Sequence, residues 1–150
     1  MTVLEGTAQD RAEIDDLVRR FFAAFTNADG AVPDVDGLAG LFIPQGVIVK
    51  AVGDAPEVYS VRSFIEPRAR ILADGTLTDF REEETAARTQ IVGNIAQRVS
   101  LYRKSGVMAG ERIEGKGVKV LQFVRLPDGW RLSAVAWDDE RAGLTVPAGL

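Results

Sequence analysis

Two glutamates at alternate positions of a charged segment, Glu82 and Glu84, have the type and spacing needed for acid–base chemistry. Alternate residues of a β-strand point to the same face, so both carboxylates would lie on one side with Phe80. Neighbouring carboxylates can divide the roles of acid and base when burial separates their pKa values. A charged segment this dense is more typical of a solvated sheet edge, which deters aggregation. We therefore expect an edge, and keep both glutamates as candidate catalytic residues.

Lys50 is the second candidate for chemistry, because it follows Val47, Ile48 and Val49 in a segment with the composition of a strand. If this lysine were buried, its pKa would fall, and the neutral amine could act as a base or form a Schiff base with a carbonyl. The alternative is a solvated or ion-paired strand lysine. That alternative is the expectation, since lysine is rarely buried.

Three consecutive acidic residues, Asp138, Asp139 and Glu140, close the last predicted strand. Three carboxylates could bind Mg²⁺ or Ca²⁺, but their spacing is not that of an EF-hand loop. Because Arg141 follows immediately, surface ion pairing is the expected role. Asp138 is kept as a candidate catalytic residue, and no metal site is predicted.

The 150-residue chain contains neither cysteine nor histidine, which excludes thiolate nucleophiles, histidine relays and histidine-based metal sites. Its 18 basic and 22 acidic residues give a net charge of −4, which argues against nucleic acid or an anionic membrane as a partner. No cofactor is expected. A signal peptide and a membrane-spanning apolar segment are not recognisable, so a cytoplasmic location is expected. A single domain is predicted over residues 1–150, with a core at about 8–141 and a tail at 142–150.

Three helices are predicted in the first half of the chain. Apolar side chains recur at helical spacing within residues 8–27, with charged residues on the opposite side. A short second helix, weakened by two glycines, is expected to carry Leu38, Leu41 and Phe42. The third helix is predicted to begin at a capping box of Ser63 and Glu66 and to end at Asp74.

Strands account for most of the remaining sequence. Residues 47–52 and 57–60 predict a short strand pair. Turns are expected at residues 105–106 and 114–117, and a Pro-Asp-Gly turn at 127–129 should close a long hairpin. The long antiparallel strands are predicted at residues 78–93, 94–104, 117–126 and 130–138.

Several aromatic and polar side chains are candidates for lining a ligand pocket. Phe21, Phe25 and Phe42 could form an aromatic wall, although aromatic residues at helical spacing usually belong to a core. Gln122 interrupts an apolar strand face and, if buried, would need a ligand or a dimer mate as a partner. The complete set of candidate pocket residues is Phe21, Phe25, Phe42, Lys50, Tyr59, Arg70, Tyr102, Gln122 and Trp137.

The order of these elements, together with three short segments, resembles the NTF2-like superfamily. The segments are Phe-Thr-Asn-Ala-Asp at 25–29, Leu-Phe at 41–42, and the stretch from Gly129 to Glu140. Within the superfamily the chain looks most like the SnoaL-like and DUF4440 group. The resemblance implies an α+β cone, in which three N-terminal helices pack on a curved, mainly antiparallel sheet, and a homodimer formed through the sheets. The apolar content of both faces of the last hairpin also favours a dimer.

The ketosteroid isomerases of this superfamily provide a residue-by-residue comparison. Their oxyanion-donor tyrosine would fall on Phe21, which has no hydroxyl to donate, and their aspartate base would fall on Lys50. Their protonated aspartate would fall near Leu121 or Gln122, neither of which is acidic. All three isomerase roles are therefore missing from this chain.

Three functions stay open on the sequence. The preferred one is binding of a small hydrophobic molecule in an apolar, cone-shaped pocket, because the acid and base positions of the superfamily are lost. The first alternative is a metal-free isomerase, cyclase or hydratase that uses general acid–base catalysis. The second is a dimeric interaction domain whose pocket is filled by its own side chains.

Overall fold

A computed structural model describes residues 4–150, and within this range the chain forms two α-helices, two 3₁₀ helices and six strands. Helix α1 spans Ala8–Ala23 and α2 spans Val61–Ala73, while the 3₁₀ helices occupy Ala28–Gly30 and Asp36–Leu41. Neither α-helix has the length and apolar character required to cross a bilayer. The strands are β1 (Phe42–Lys50), β2 (Glu57–Ser60), β3 (Leu77–Val92), β4 (Ile95–Met108), β5 (Glu111–Leu126) and β6 (Gly129–Asp139).

All six strands form one curved sheet in the order β2-β1-β6-β5-β4-β3. Neighbouring strands are antiparallel except β1 and β6, which run parallel. Irregularities in the pairing of β3 with β4 and of β5 with β6 bend the sheet, as β-bulges do. The helices pack on one side of the sheet, here called the inner face, whose fully buried side chains include Tyr102, Leu121, Phe123, Leu132 and Val135.

Helix α1 is fixed at its first turn by a capping box in which Thr7 and Asp10 exchange hydrogen bonds. The same Asp10 carboxylate accepts hydrogen bonds from Trp130 Nε1 at 3.1 Å and from Arg125 at 2.9 Å. The bond from Trp130 is the main reason that the pKa of Asp10 lies below its usual value. One carboxylate therefore ties the start of α1 to the hairpin formed by β5 and β6.

Helix α2 begins three residues before the predicted capping box. Ser60 is the N-cap, and its hydroxyl and that of Ser63 each accept a hydrogen bond from the other residue's backbone N–H. Serine can close such a reciprocal pair because its hydroxyl oxygen accepts a backbone N–H as a glutamate carboxylate would, so Glu66 is not needed. The start predicted at Ser63 is therefore wrong, and Pro67 lies in the second turn of the helix.

The predicted turns at residues 105–106 and 114–117 are also wrong, because both segments lie inside strands. Ser105 pairs with Glu114 across β4 and β5, and the chain reverses instead at Ala109 and Gly110, which both have positive φ. The glycines inside the strands serve close packing. An added Cβ on Gly106 would lie 3.1 Å from the Phe80 backbone, so this position admits only glycine without a shift.

The second predicted helix is a 3₁₀ helix that ends at Leu41, so Phe42 is the first residue of β1 rather than a helical residue. Strand β1 passes through Pro44 and Gly46, so it begins before the strand predicted at residues 47–52. The register with β6 shifts between Phe42 and Val47, where these residues are accommodated.

Candidate functional site

A cavity of about 380 Å³ lies between the two helices and the inner face of the sheet. Helix α1 and the residues after it contribute Phe21 and Phe25, and α2 contributes Phe64. Strands β3 and β6 add Phe80 and Trp137, so five aromatic rings from four parts of the chain surround one space. The remaining apolar lining consists of Pro67, Ile71, Leu72, Leu77, Met108 and Ile113.

An ion pair between Glu82 and Lys119 forms part of this otherwise apolar wall. Lys119 Nζ lies 2.6 Å from Glu82 Oε1, and the two side chains are only 7% and 9% exposed. The ammonium group also lies 3.9 Å from the centroid of the Tyr102 ring and 5.2 Å from that of Trp137. Burial lowers the pKa of Lys119, and the neighbouring Glu82 carboxylate opposes this shift. A proton donor and a proton acceptor therefore meet in a nearly dry environment.

Tyr102, Asp139 and Lys104 form a second polar group beside this pair. The Tyr102 hydroxyl donates a hydrogen bond to Asp139 Oδ1, and Lys104 Nζ lies 3.0 Å from Asp139 Oδ2. Burial, followed by the hydrogen bond to Asp139, raises the pKa of the Tyr102 hydroxyl far above its usual value. The tyrosine is therefore a fixed proton donor whose acceptor, Asp139, lines the cavity.

Gly117 makes room for this tyrosine. An added Cβ at position 117 would lie 2.5 Å from the Tyr102 hydroxyl oxygen and 2.5 Å from the backbone oxygen of Asp138. The segment Gly115-Lys116-Gly117, interpreted above as a turn, is thus a strand segment in which glycine allows a large side chain from β4 to cross.

We expect Gly117→Ala to lower the free energy of unfolding by about 1–3 kcal/mol, the usual cost of overpacking. The matched control is Gly115→Ala in the same strand, where the nearest atom is the flexible Lys104 side chain at 3.3 Å. Urea unfolding of both variants measures the difference. Equal stabilities of the two variants would contradict the steric role of Gly117.

Arg68 of α2 covers another side of the cavity. Its guanidinium carbon lies 3.8 Å from the centroid of the Phe64 ring, 5.2 Å from that of Tyr59 and 5.8 Å from that of Trp137. One nitrogen donates to the Phe64 carbonyl oxygen at 3.2 Å. The pKa of Arg68 is lowered, chiefly by burial, yet an arginine stays charged at neutral pH.

No known protein family model matches the sequence, and no curated protein matches it. Solved structures do match the fold. An NTF2-like superfamily protein from Salmonella enterica superimposes with a TM-score of 0.73 at 17% identity, covering 91% of this chain and 94% of that one. A Nostoc punctiforme protein of unknown function with a cystatin-like fold gives a TM-score of 0.68 at 17% identity, covering 95% and 97%.

This chain has the NTF2-like fold. A third match, a Novosphingobium aromaticivorans protein provisionally named an aromatic ring hydroxylase, gives a TM-score of 0.74 at 18% identity, covering 91% and 93%. Identities this low show a shared fold and not a shared activity. The resemblance to the NTF2-like superfamily is thus confirmed for the fold, and the finer assignment to the SnoaL-like and DUF4440 group stays a prediction.

The NTF2-like cavity brings together some of the residues proposed from sequence. Phe21, Phe25, Lys50, Glu82 and Trp137 all line it. Three other candidates lie immediately behind the lining: Phe42 packs on Phe21, Tyr59 packs on Phe64, and Tyr102 lies against Lys119.

The other candidates lie away from the cavity. Arg70 is exposed on α2, and Gln122 lies on the face of the sheet opposite the helices. Gln122 is in phase with Val120 and Val124, as expected, but this face does not point toward the cavity. Its amide is therefore not part of the site.

Glu84 has a structural role. Its carboxylate binds Arg98 and accepts a hydrogen bond from the Ser100 hydroxyl at 2.6 Å. Arg98 also donates to the exposed Asp15 of α1 at 2.6 Å, so this network ties α1 to β3 and β4. The pairing of β3 with β4 has a bulge between Glu84 and Ala86, next to this network. Of the two candidate glutamates, only Glu82 lines the cavity.

The acidic residues at the end of β6 diverge. Asp138 pairs with Arg141, Asp139 binds Tyr102 and Lys104, and Glu140 accepts a hydrogen bond from the Val146 backbone at 2.9 Å. Ion pairing, as expected, describes all three residues: Asp138 with Arg141, Asp139 with Lys104 and Glu140 with Lys116. The pair formed by Asp139 lines the cavity instead of the outer surface. The contact of Glu140 also holds the predicted tail, in which Val146 is buried.

Sequence reasoning missed Lys119, Arg68, Lys104 and Asp139 as cavity residues. Two of them carried a readable signal. Lys119 alternates in phase with Leu121 and Phe123 on the buried side of β5, and Arg68 follows Phe64 by one helical turn. A charged residue on an apolar stripe marks either a paired charge or a site.

Proposed function

We propose that this protein binds a small, largely apolar molecule in the cavity between its helices and sheet. The observation that carries the proposal is the cavity itself: about 380 Å³ stays open among five aromatic rings. Protein cores normally pack to crystal-like density, and ligand pockets commonly begin at about 300 Å³. The open volume favours a binding protein over an interaction domain with a filled pocket.

Filling the cavity should abolish binding. We expect the neutral fluorophore N-phenyl-1-naphthylamine to bind the wild-type protein, and Met108→Trp to weaken binding at least tenfold, because the larger ring occupies the space. Fluorescence titration measures both affinities. Leu126→Trp adds the same ring at an exposed position that does not line the cavity, and it should leave binding unchanged. A wild-type protein that does not bind the probe would contradict the proposal.

A second candidate function is acid–base catalysis on a molecule in the same cavity, and the Glu82–Lys119 pair favours it. A carboxylate and an ammonium group held 2.6 Å apart can exchange roles as proton acceptor and donor. This pair replaces Lys50 as the best acid–base candidate. Lys50 lines the cavity without a comparable partner among residues 4–150.

Isomerisation of β,γ-unsaturated ketones tests this function, because conjugation of the product raises ultraviolet absorbance. If catalysis occurs, Glu82→Gln should abolish turnover while the probe still binds. Glu83→Gln, which changes an exposed carboxylate on the same strand, should retain turnover. Turnover that survives Glu82→Gln would remove this residue from the mechanism.

We further propose that two copies associate through the outer face of the sheet, which is the face opposite the helices. Two rows of uncharged residues cross β1, β6, β5 and β4 on this face. One row consists of Val49, Ala136, Val120 and Val99, and the other of Val47, Ala134, Gln122 and Gln97. Val120 is 41% exposed and Ile95, at the edge of these rows, is 60% exposed. Depletion of charge together with exposed apolar groups is typical of interface cores, and a face of this kind suits a two-fold homodimer.

A further inference from the structure

The cavity lining carries more positive than negative groups. Its cations are Lys50, Arg68, Lys104 and Lys119, and its anions are Glu82 and Asp139. This surplus occurs in a chain whose net charge is −4, so it does not follow from the overall composition. An apolar space with uncompensated positive charge favours an anionic group on its occupant.

Ion pairing shows which of the four lining cations have no carboxylate partner among residues 4–150. Lys119 pairs with Glu82 at 2.6 Å, and Lys104 pairs with Asp139 at 3.0 Å, so these charges cancel. Among residues 4–150, neither Arg68 nor Lys50 has a carboxylate oxygen within 4.0 Å. The surplus therefore resides on these two side chains.

Arg68 is also poorly supplied with hydrogen bonds. Among residues 4–150 its guanidinium donates to the Phe64 carbonyl oxygen and interacts with the Tyr59 hydroxyl, although a guanidinium has five N–H donors. Arg98 is a contrasting case, because its guanidinium binds both oxygens of Glu84, Asp15 and Thr89. Arg98 therefore uses four of its five N–H donors, whereas Arg68, among residues 4–150, keeps more of its donors free beside the cavity.

The position of Arg68 suits the recognition of a planar anion. Its guanidinium carbon lies 3.8 Å from the centroid of the Phe64 ring, and a guanidinium held against an aromatic ring can still donate from the edge of its plane. A carboxylate matches this edge with two parallel hydrogen bonds. Lys50 is the register partner of Trp137, which the Arg68 guanidinium approaches to 5.8 Å, and all three residues line the same cavity.

We infer that the occupant of this cavity is a monocarboxylate with an apolar body, and that Arg68 and Lys50 bind its carboxylate while the aromatic rings enclose the body. This inference rests on the proposed binding function and deepens it by naming the class of ligand. It assigns a role to two cations that form no ion pair with a carboxylate among residues 4–150.

Displacement of N-phenyl-1-naphthylamine by two matched competitors tests the inference. The competitors are 2-naphthoate and 2-naphthalenemethanol, which share a ring system and differ in charge. We expect 2-naphthoate to bind at least tenfold more tightly, and Arg68→Met to remove this advantage while the affinity for the neutral alcohol stays within twofold. Lys50→Met should reduce the advantage in part.

Arg70→Met is the control for charge, since Arg70 is exposed on the same helix and does not line the cavity. If Arg68→Met fails to fold, Arg68→Lys takes its place in the test. This variant keeps the charge without the planar guanidinium, and its affinity for 2-naphthoate should lie between those of the wild type for 2-naphthoate and for the neutral alcohol. Equal affinities for the two competitors, or an equal loss of both in Arg68→Met, would overturn the carboxylate assignment while leaving the binding function intact. Failure of the fluorophore itself to bind would overturn the binding function and this inference with it.

Discussion

Lys119→Met is expected to lower the free energy of unfolding by about 3–5 kcal/mol, the cost of removing one partner of a buried ion pair. The variant leaves the Glu82 carboxylate without its partner in a position where only 9% of the side chain is exposed. Methionine fills much of the volume of the lysine stem, so the lost charge accounts for most of the effect. Urea unfolding at neutral pH measures it.

Two further variants identify the origin of this loss. Arg103→Met breaks the exposed ion pair with Glu83, the residue after Glu82 on β3, and should cost less than about 1 kcal/mol. The double variant Glu82→Leu with Lys119→Met removes both charges and should recover most of the stability. If Lys119→Met is as mild as Arg103→Met, the buried pair makes no special contribution. A stable double variant that has lost ligand binding would show that the pair serves function rather than folding.

Val120→Asp is expected to convert the proposed homodimer into a monomer. The substitution places a carboxylate in the centre of the uncharged rows on the outer face. In a two-fold dimer each protomer contributes one such carboxylate, so the interface would contain two. Burying unpaired charge costs several kcal/mol, so association should weaken by at least ~100-fold. Sedimentation at micromolar concentration measures the mass.

Val32→Asp is the matched control, because Val32 is 88% exposed and lies outside the sheet. This variant should sediment as the wild type does. A wild-type protein that is monomeric at micromolar concentration would contradict the dimer. A dimer that persists in Val120→Asp would place the interface on another surface.

The elements predicted correctly from the sequence were those whose structure depends on residues adjacent in the chain. The helical stripe in residues 8–27 corresponds to α1, the segment 57–60 corresponds to β2, and the Pro-Asp-Gly turn closes β5 and β6. These signals are local, because backbone periodicity and turn chemistry depend on a few adjacent side chains.

The errors arose where a distant residue determines the local structure. The glycines at 106 and 117 indicated turns, but they stay in strands because Phe80 and Tyr102 cross close to them. The site was harder for the same reason. Glu82 and Lys119 are 37 positions apart and meet only across β4, and nothing in a single sequence identifies which of several glutamates is the partner.

The place of β6 in the sheet has a consequence for folding during synthesis. This last strand lies between β1 and β5, so β1 and β2 have no connection to β3, β4 and β5 within the sheet until residues 129–139 have left the ribosome. Until then the apolar side of α1 has no Trp130, Leu132 or Val135 to pack against. Closing the sheet joins segments far apart in the chain, which slows folding and prolongs the exposure of these apolar surfaces. The nascent chain is therefore expected to be most prone to aggregation in the interval just before β6 emerges.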